Sequence, residues 1–106
     1  MHEEDKEKLR SYLEVIQSAF SDLDEVYENG YMSDAKSAVY NLPIKLTELA
    51  ISDPFVCEEL VVLAKNCWSV MYLEGAESGP YARAGRAQAE IGKLEQRIKS
   101  LMGNEN

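Results

Sequence analysis

The sequence of 106 residues predicts an all-α protein, an antiparallel four-helix bundle that forms a single domain over residues 1–106. Apolar residues recur at spacings of three and four along most of the chain, which is the period of an amphipathic helix. Glycine and proline interrupt this period at few places, so the connections are short and successive helices should lie antiparallel. No segment shows the alternating pattern of a β-strand.

The first helix is predicted over residues 3–29, and Gly30 ends it. Its acidic start suits the positive end of the helix dipole. The residues expected to face the core repeat at alternating spacings of four and three: Leu9, Leu13, Ile16, Phe20, Leu23 and Tyr27.

The second helix is predicted to begin with Ser33 or Asp34 as its N-cap and to run towards Ser52. Pro43 lies in its middle, and the missing N–H of a proline removes a helical hydrogen bond. We therefore expect a helix that is kinked or split at Pro43. Its core-facing residues are predicted to be Ala35, Val39, Leu42, Leu46 and Leu49.

The third helix is predicted over residues 54–74, with Asp53 as N-cap, Pro54 in the first position and Gly75 after its end. Apolar residues cover roughly half of its circumference, more than the stripe of about 100° that a surface helix needs. This pattern predicts the central core helix of the bundle. The surplus apolar residues on its other shoulder are Phe55, Val62 and Leu73.

The fourth helix is predicted to start with Pro80 in its first position, after Ser78 or Gly79 as cap. Its stripe of Ala84, Ala87, Ile91, Leu94, Ile98 and Leu101 is typical of a coiled-coil seam. Such a seam could pair with a copy of itself, which makes the protein a candidate homodimer through Ile91, Leu94, Ile98 and Leu101. The chain ends, residues 1–5 and 103–106, are expected to be frayed.

The formal net charge is −8, with −7 in residues 1–34 and +2 in residues 80–106. This balance disfavours direct binding to nucleic acid and favours a partner protein with a basic surface. Residues 2–10 are charged throughout and suggest no signal peptide. Lys65, Asn66 and Ser69 interrupt the most apolar segment, so we expect no membrane span.

The sequence offers little for catalysis or metal binding, so we expect a non-enzymatic protein without cofactor or metal. His2 is the sole histidine, and Cys57 and Cys67 are too far apart along one helix to form a disulfide. Both thiols are interpreted as buried and reduced, which fits a cytoplasmic protein. The acidic run at residues 22–25 begins like a calcium loop but lacks its later ligands and its glycine.

The most informative surface is an acidic, tyrosine-bearing patch around the end of the first helix, formed by Asp22, Asp24, Glu25, Tyr27, Glu28, Tyr31 and Asp34. Carboxylates near a helix C-terminus oppose the dipole, so stability alone does not explain them. The patch predicts a module that binds and blocks, or escorts, a basic partner, as immunity and inhibitor proteins of this size and charge do. Two alternatives are a helical chaperone or adaptor that presents an apolar groove to an amphipathic helix, and a structural homodimer.

Overall fold

The structure, a computed structural model, describes residues 2–72 and 79–103. This part of the chain is all-helical and contains no strand, as the sequence predicts. α1 and α3 each pack against both α2 and α4, so the four helices enclose one hydrophobic core. The helices are α1 (Glu3–Asn29), α2 (Ser33–Leu49), α3 (Pro54–Tyr72) and α4 (Pro80–Leu101).

The buried face of α1 is rotated from the predicted one. The prediction was wrong for Phe20 and Tyr27, whose side chains are 39% and 44% exposed. The predicted positions and the positions that are buried both fit a helical period. The structure buries the set that includes the small Ala19 and leaves the larger Phe20 and Tyr27 at the edge of the core. The residues of α1 that fill the core are Leu9, Tyr12, Ile16, Ala19, Leu23 and Val26.

α2 continues through Pro43 as one helix, so of the two predicted outcomes, a kink or a split, the helix is not split. Its N-cap residue is Met32, which provides no side-chain hydrogen bond, and neither Ser33 nor Asp34 has that role. The helix ends at Leu49, earlier than predicted, because Ala50 adopts the left-handed conformation with φ 53°. Its core face is as predicted: Ala35, Val39, Leu42 and Leu46 are buried.

A buried hydrogen bond joins α1 to the middle of α2. The hydroxyl of Tyr12, which is not exposed to solvent, donates to the backbone carbonyl of Leu42 at 2.7 Å. Burial raises the pKa of Tyr12 well above its usual value, so the hydroxyl keeps its proton and acts as a donor. This bond fixes α1 against the turn of α2 that precedes Pro43.

α3 begins as predicted, because the Asp53 carboxylate caps it. Its Oδ1 accepts hydrogen bonds from the backbone N–H groups of Phe55 at 2.9 Å and Val56 at 3.3 Å. However, α3 is not enclosed as a central helix would be. Phe55 is 81% exposed and Val62 is 52% exposed, and Leu73, Glu74 and Gly75 lie outside the described residues.

α4 begins at Pro80 as predicted, and its stripe fills the core. Ala84, Ala87 and Leu94 are completely buried. The two glycines of α4 differ in their surroundings. A Cβ atom added to Gly85 would lie 3.1 Å from the hydroxyl oxygen of Tyr27, whereas a Cβ added to Gly92 would have no other atom within 4 Å.

Asp5 connects the start of α1 to the connection between α2 and α3. Its carboxylate is only 3% exposed and accepts hydrogen bonds from the hydroxyl of Ser52 and, at 3.2 Å, from its backbone N–H. The first turn of α1, expected to be frayed, is thus helical from Glu3 and held at Asp5. The hydroxyl bond lowers the pKa of Asp5 below 3.8, so this contact stabilises the fold above that pH and is lost as the pH falls through the lowered value.

Candidate interaction surfaces

The predicted acidic patch lies on the last turns of α1, the connection that follows and the first turn of α2. All of its members are exposed except Asp22, which is half-buried. The last turn of α1 contains no basic residue, and the backbone N–H of Gly30 closes the helix on the Val26 carbonyl at 2.7 Å. The carboxylates therefore add to the negative potential of a helix C-terminus.

Several carboxylates that have no cationic partner lie close together along the chain in this patch. Among the residues that the structure describes, none of the patch members Asp22, Asp24, Glu25, Glu28 and Asp34 forms an ion pair. By contrast, acidic side chains outside the patch do form such pairs: Glu3 and Glu7 with Arg10, Glu48 with Lys45, Glu59 with Arg97, Glu90 with Lys93 and Glu95 with Lys99. Glu4, Glu14 and Glu58 are exposed and also lack an ion pair in the described ranges, but they are far apart along the chain, whereas the patch holds five such carboxylates within residues 22–34.

Two members of the patch also hold α1 against α4, in a set of contacts that we call the α1–α4 seam. The amide nitrogen of Gln88 donates to Asp24 Oδ1 at 2.8 Å and to the Phe20 carbonyl at 3.3 Å. The Tyr27 hydroxyl donates to the amide oxygen of Gln88 at 3.4 Å, and its ring stacks on Tyr81 with centroids 5.7 Å apart. Asp24 and Tyr27 therefore have a structural role as well as an exposed surface.

The remaining members of the patch make fewer internal contacts. Tyr31 is 65% exposed, and its backbone N–H donates to the side-chain oxygen of Asn29 at 2.8 Å, which orders the turn after α1. Glu25, Glu28 and Asp34 are exposed around it. These four side chains are the part of the patch that is most available to a partner.

A second surface, the α2–α3 groove, was not located from the sequence. It is an open depression of about 650 Å³ between α2 and α3, lined mainly by Tyr40, Pro43, Ile44, Val61, Lys65 and Trp68. Tyr40 and Ile44 are 51% and 42% exposed, and the Tyr40 and Trp68 rings lie 6.2 Å apart at 57°. The signal in the sequence was the i, i+4 pair of Tyr40 and Ile44, which lies beside the core-facing residues of α2.

A smaller apolar surface lies on the first half of α3. Phe55 and Val62, seven residues apart, share one exposed face with Glu58, Glu59 and Leu63. Glu59 accepts a hydrogen bond from Arg97 Nη2 of α4 at 3.1 Å, which ties this face to the fourth helix. The surplus apolar residues predicted for α3 are thus exposed at the two described positions.

The candidate dimer seam lies inside the single chain. Ile91, Leu94 and Ile98 have at most 1% of their surface exposed, and Leu101 is half-buried. These side chains pack into the core formed with the other helices. Pairing with a second copy through them requires the bundle to open, and a homodimer through α4 stays a prediction.

The two thiols are free, and Cys67 is buried in the core. Burial, with a smaller contribution from Glu90, raises the pKa of Cys67 to about 12, so its thiol is protonated at neutral pH and is a poor nucleophile. The described residues contain no group of three or more His, Cys, Asp or Glu side chains arranged to hold a metal ion. The carboxylates of the acidic patch are thus not gathered around one ion site.

Comparisons with protein families, with curated proteins and with solved structures give no match for this chain. None of the helices in the described ranges is both long and apolar enough to cross a membrane. Function therefore has to be argued from the two surfaces themselves: the acidic patch and the α2–α3 groove.

Proposed function

We propose that the protein is a non-enzymatic interaction module that uses the acidic patch to bind and block, or escort, a partner protein with a basic surface. The observation that supports this proposal is the concentration within residues 22–34 of five carboxylates that form no ion pair in the described chain. Uncompensated charges of one sign raise the association rate with a partner of opposite charge. Such charges cost stability in the free protein, so a partner that neutralises them gains affinity.

In this proposal the carboxylates of Glu25, Glu28 and Asp34 attract the partner, and Tyr31 provides the apolar contact. Tyrosine is enriched at the centres of interfaces because it buries a large ring and keeps a hydroxyl for hydrogen bonding. Binding should occlude the basic surface of the partner, which is how immunity and inhibitor proteins of this class act. The binding should weaken as the salt concentration rises.

The test is capture of partners on immobilised protein, compared between two triple variants of equal charge change. Glu25→Lys, Glu28→Lys and Asp34→Lys reverse the patch, and Glu14→Lys, Glu48→Lys and Glu58→Lys reverse exposed acids outside it. A basic protein that is bound by the wild type and by the control triple variant, but not by the patch variant or in high salt, supports the proposal. A partner that the patch variant retains as well as the wild type does contradicts it.

The α2–α3 groove favours a second candidate function, that of an adaptor or chaperone that presents an apolar groove to an amphipathic helix. The exposed Tyr40 and Ile44 and the neighbouring Trp68 provide the apolar lining that such binding needs. The two functions are compatible, because the groove and the acidic patch share no residue.

We also infer the finer architecture that underlies both surfaces. Asp5 near the start of α1 contacts Ser52 after the end of α2, and Asp24 near the end of α1 contacts Gln88 near the start of α4. These pairs support an antiparallel up-down-up-down arrangement. Pro43 is expected to kink α2.

The two free thiols favour a reducing environment, and we therefore propose a cytoplasmic location.

The homodimer through α4 is tested by light scattering of the wild type and of Leu94→Asp at several protein concentrations. A dimer that the substitution converts into a folded monomer supports pairing through the seam. Because Leu94 is completely buried in the single chain, we expect this substitution to unfold the protein instead.

A further inference from the structure

We propose that the α2–α3 groove binds a short amphipathic helix of a partner protein that carries a carboxylate opposite Lys65. This inference rests on the adaptor function proposed above and specifies its ligand. It is independent of the acidic patch, which is proposed to attract a partner of the opposite charge.

Both walls of the groove carry apolar side chains. Tyr40 and Ile44 lie one turn apart on α2, and Val61 and Trp68 lie two turns apart on α3 across from them. Isolated apolar residues are common on protein surfaces, but a depression lined by contiguous apolar residues marks a site of interaction. Trp68 and Tyr40 belong to the residue types that contribute most binding energy at interfaces.

The length of the groove suits a helix of a few turns. Its lining extends over Tyr40 to Thr47 on α2 and over Val61 to Ser69 on α3. At 1.5 Å per residue, each wall is roughly 10–12 Å long, which is about two helical turns. A ligand helix would therefore present apolar residues at positions i, i+3 or i+4, and i+7.

Charge specifies the ligand further. Lys65 is exposed and is the one charged side chain among the described residues that line the groove. Within the two described ranges Lys65 forms no ion pair, whereas Lys45 on α2 contacts Glu48 at 3.7 Å. The other polar lining residues are uncharged, and the Thr47 hydroxyl already donates to the Pro43 carbonyl at 3.1 Å. In a chain with a net charge of −8, an unpaired lysine beside an apolar groove complements a carboxylate on the ligand.

The experiment uses the only tryptophan of the chain, Trp68, as the reporter, because it lines the groove. The probes are tryptophan-free amphipathic peptides of about 14 residues, the length of an ordinary protein helix. One peptide has leucine anchors at i, i+4 and i+7 with glutamate beside them. A second has lysine in place of glutamate, and a third has alanine in place of the leucines. Titration is followed by Trp68 fluorescence and by amide chemical shifts.

We expect the glutamate peptide to bind saturably and to shift the amides of α2 and α3, and the alanine peptide not to bind. Lys65→Glu should lower the affinity for the glutamate peptide by about five- to tenfold, because two carboxylates then repel each other. The same substitution should raise the affinity for the lysine peptide, because it replaces repulsion between two cations by attraction. The control is Arg86→Glu, which makes the same charge change at an exposed position of α4 that does not line the groove. It should leave both affinities within about twofold of the wild type.

The possible results distinguish the proposed carboxylate of the ligand from the proposed adaptor function. Equal binding of the glutamate and lysine peptides, unaffected by Lys65→Glu, would leave the adaptor function standing and overturn the proposed carboxylate. If no peptide changes Trp68 fluorescence or the α2 and α3 amides at about 1 mM, both the ligand and the adaptor function are wrong. A loss of affinity in Arg86→Glu as large as in Lys65→Glu would show that net charge, and not Lys65, controls binding.

Discussion

The outer contacts between α1 and α4 differ from those between α2 and α3. In the α1–α4 seam, Gln88 bonds to Asp24, to the Phe20 carbonyl and to Tyr27, and Tyr27 stacks on Tyr81. In the α2–α3 groove, the outer residues are mainly apolar, and they remain partly exposed. The side chains of the α1–α4 seam are thus partnered by other side chains of the same protein, whereas the α2–α3 groove leaves apolar surface that a second molecule can cover.

A small bundle can thus combine a fixed arrangement of its helices with an apolar surface that stays open. Hydrogen bonds and a stacked aromatic pair are directional, so they fix the rotation and height of α1 against α4. Apolar contacts are not directional, so a groove lined by apolar side chains can accept a ligand without strict geometry. Apolar groups also form no hydrogen bonds that the ligand would have to replace.

The closed side should be intolerant of added volume. Ala87→Leu places a larger side chain at a position of α4 that is completely buried, and we expect a loss of about 1–3 kcal/mol in the free energy of unfolding. Urea denaturation measures it. Ala89→Leu, which adds the same volume at an exposed position of α4, is the control and should change stability by less than about 0.5 kcal/mol. Equal effects of the two substitutions would contradict the contrast between a packed and an open region.

The inner side of α2 should depend on its bond to α1. Tyr12→Phe removes the hydroxyl that donates to the Leu42 carbonyl, and we expect a loss of about 0.5–1.5 kcal/mol in stability. Tyr40→Phe removes a hydroxyl from a half-exposed ring at the groove and should cost less. Thermal unfolding of both variants provides the comparison, and a larger effect at Tyr40 would overturn it.

The two glycines of α4 should respond in different ways to alanine. Gly92→Ala gains helix propensity in open space, so we expect an increase in stability of up to about 1 kcal/mol. Gly85→Ala gains the same propensity but brings its Cβ to 3.1 Å from the Tyr27 hydroxyl oxygen, which displaces Tyr27 from the seam. Its net gain should be smaller, and the ring signals of Tyr81 should shift. Identical gains without that shift would show that the seam tolerates the extra atom.

The open side should tolerate a polar side chain. Ile44→Ser removes an exposed apolar residue from the groove, and we expect stability to change by less than about 0.5 kcal/mol while binding of the glutamate peptide is lost. Chemical denaturation and peptide titration of the same sample measure both effects. A loss of stability comparable to that of Ala87→Leu would mean that Ile44 belongs to the core.

The sequence predicted much of the fold because the local signals agree. Pro80 marks the start of α4, Asp53 caps α3, and Gly30 ends α1 in the left-handed conformation with φ 70°. Each of these is a property of one residue and its immediate neighbours. The sequence left open whether Pro43 kinks or splits α2, because a proline inside a helix can be accommodated when packing on both sides holds the helix together, here with Leu42 and Leu46 buried.

The surfaces were predicted less well because they depend on packing between helices. Phe20 and Tyr27 fit the helical period as well as the residues that are buried, and the positions of α2 and α4 decide which face of α1 is covered. The same holds for Asp24, whose bond to Gln88 joins residues that are far apart in the sequence. The α2–α3 groove requires the relative placement of two helices, which periodicity within each helix does not contain.

The buried thiol of Cys67 gives this bundle a built-in probe of its own opening. Because Cys67 is completely buried and its pKa is raised to about 12, an alkylating reagent at neutral pH can reach it only when α3 separates from the core. With Cys57 replaced by serine, the labelling rate would report the free energy of that opening without denaturant. Comparison of the Cys67 labelling rate with and without a ligand in the groove would show whether binding on the outer face of α3 makes its separation from the core less frequent.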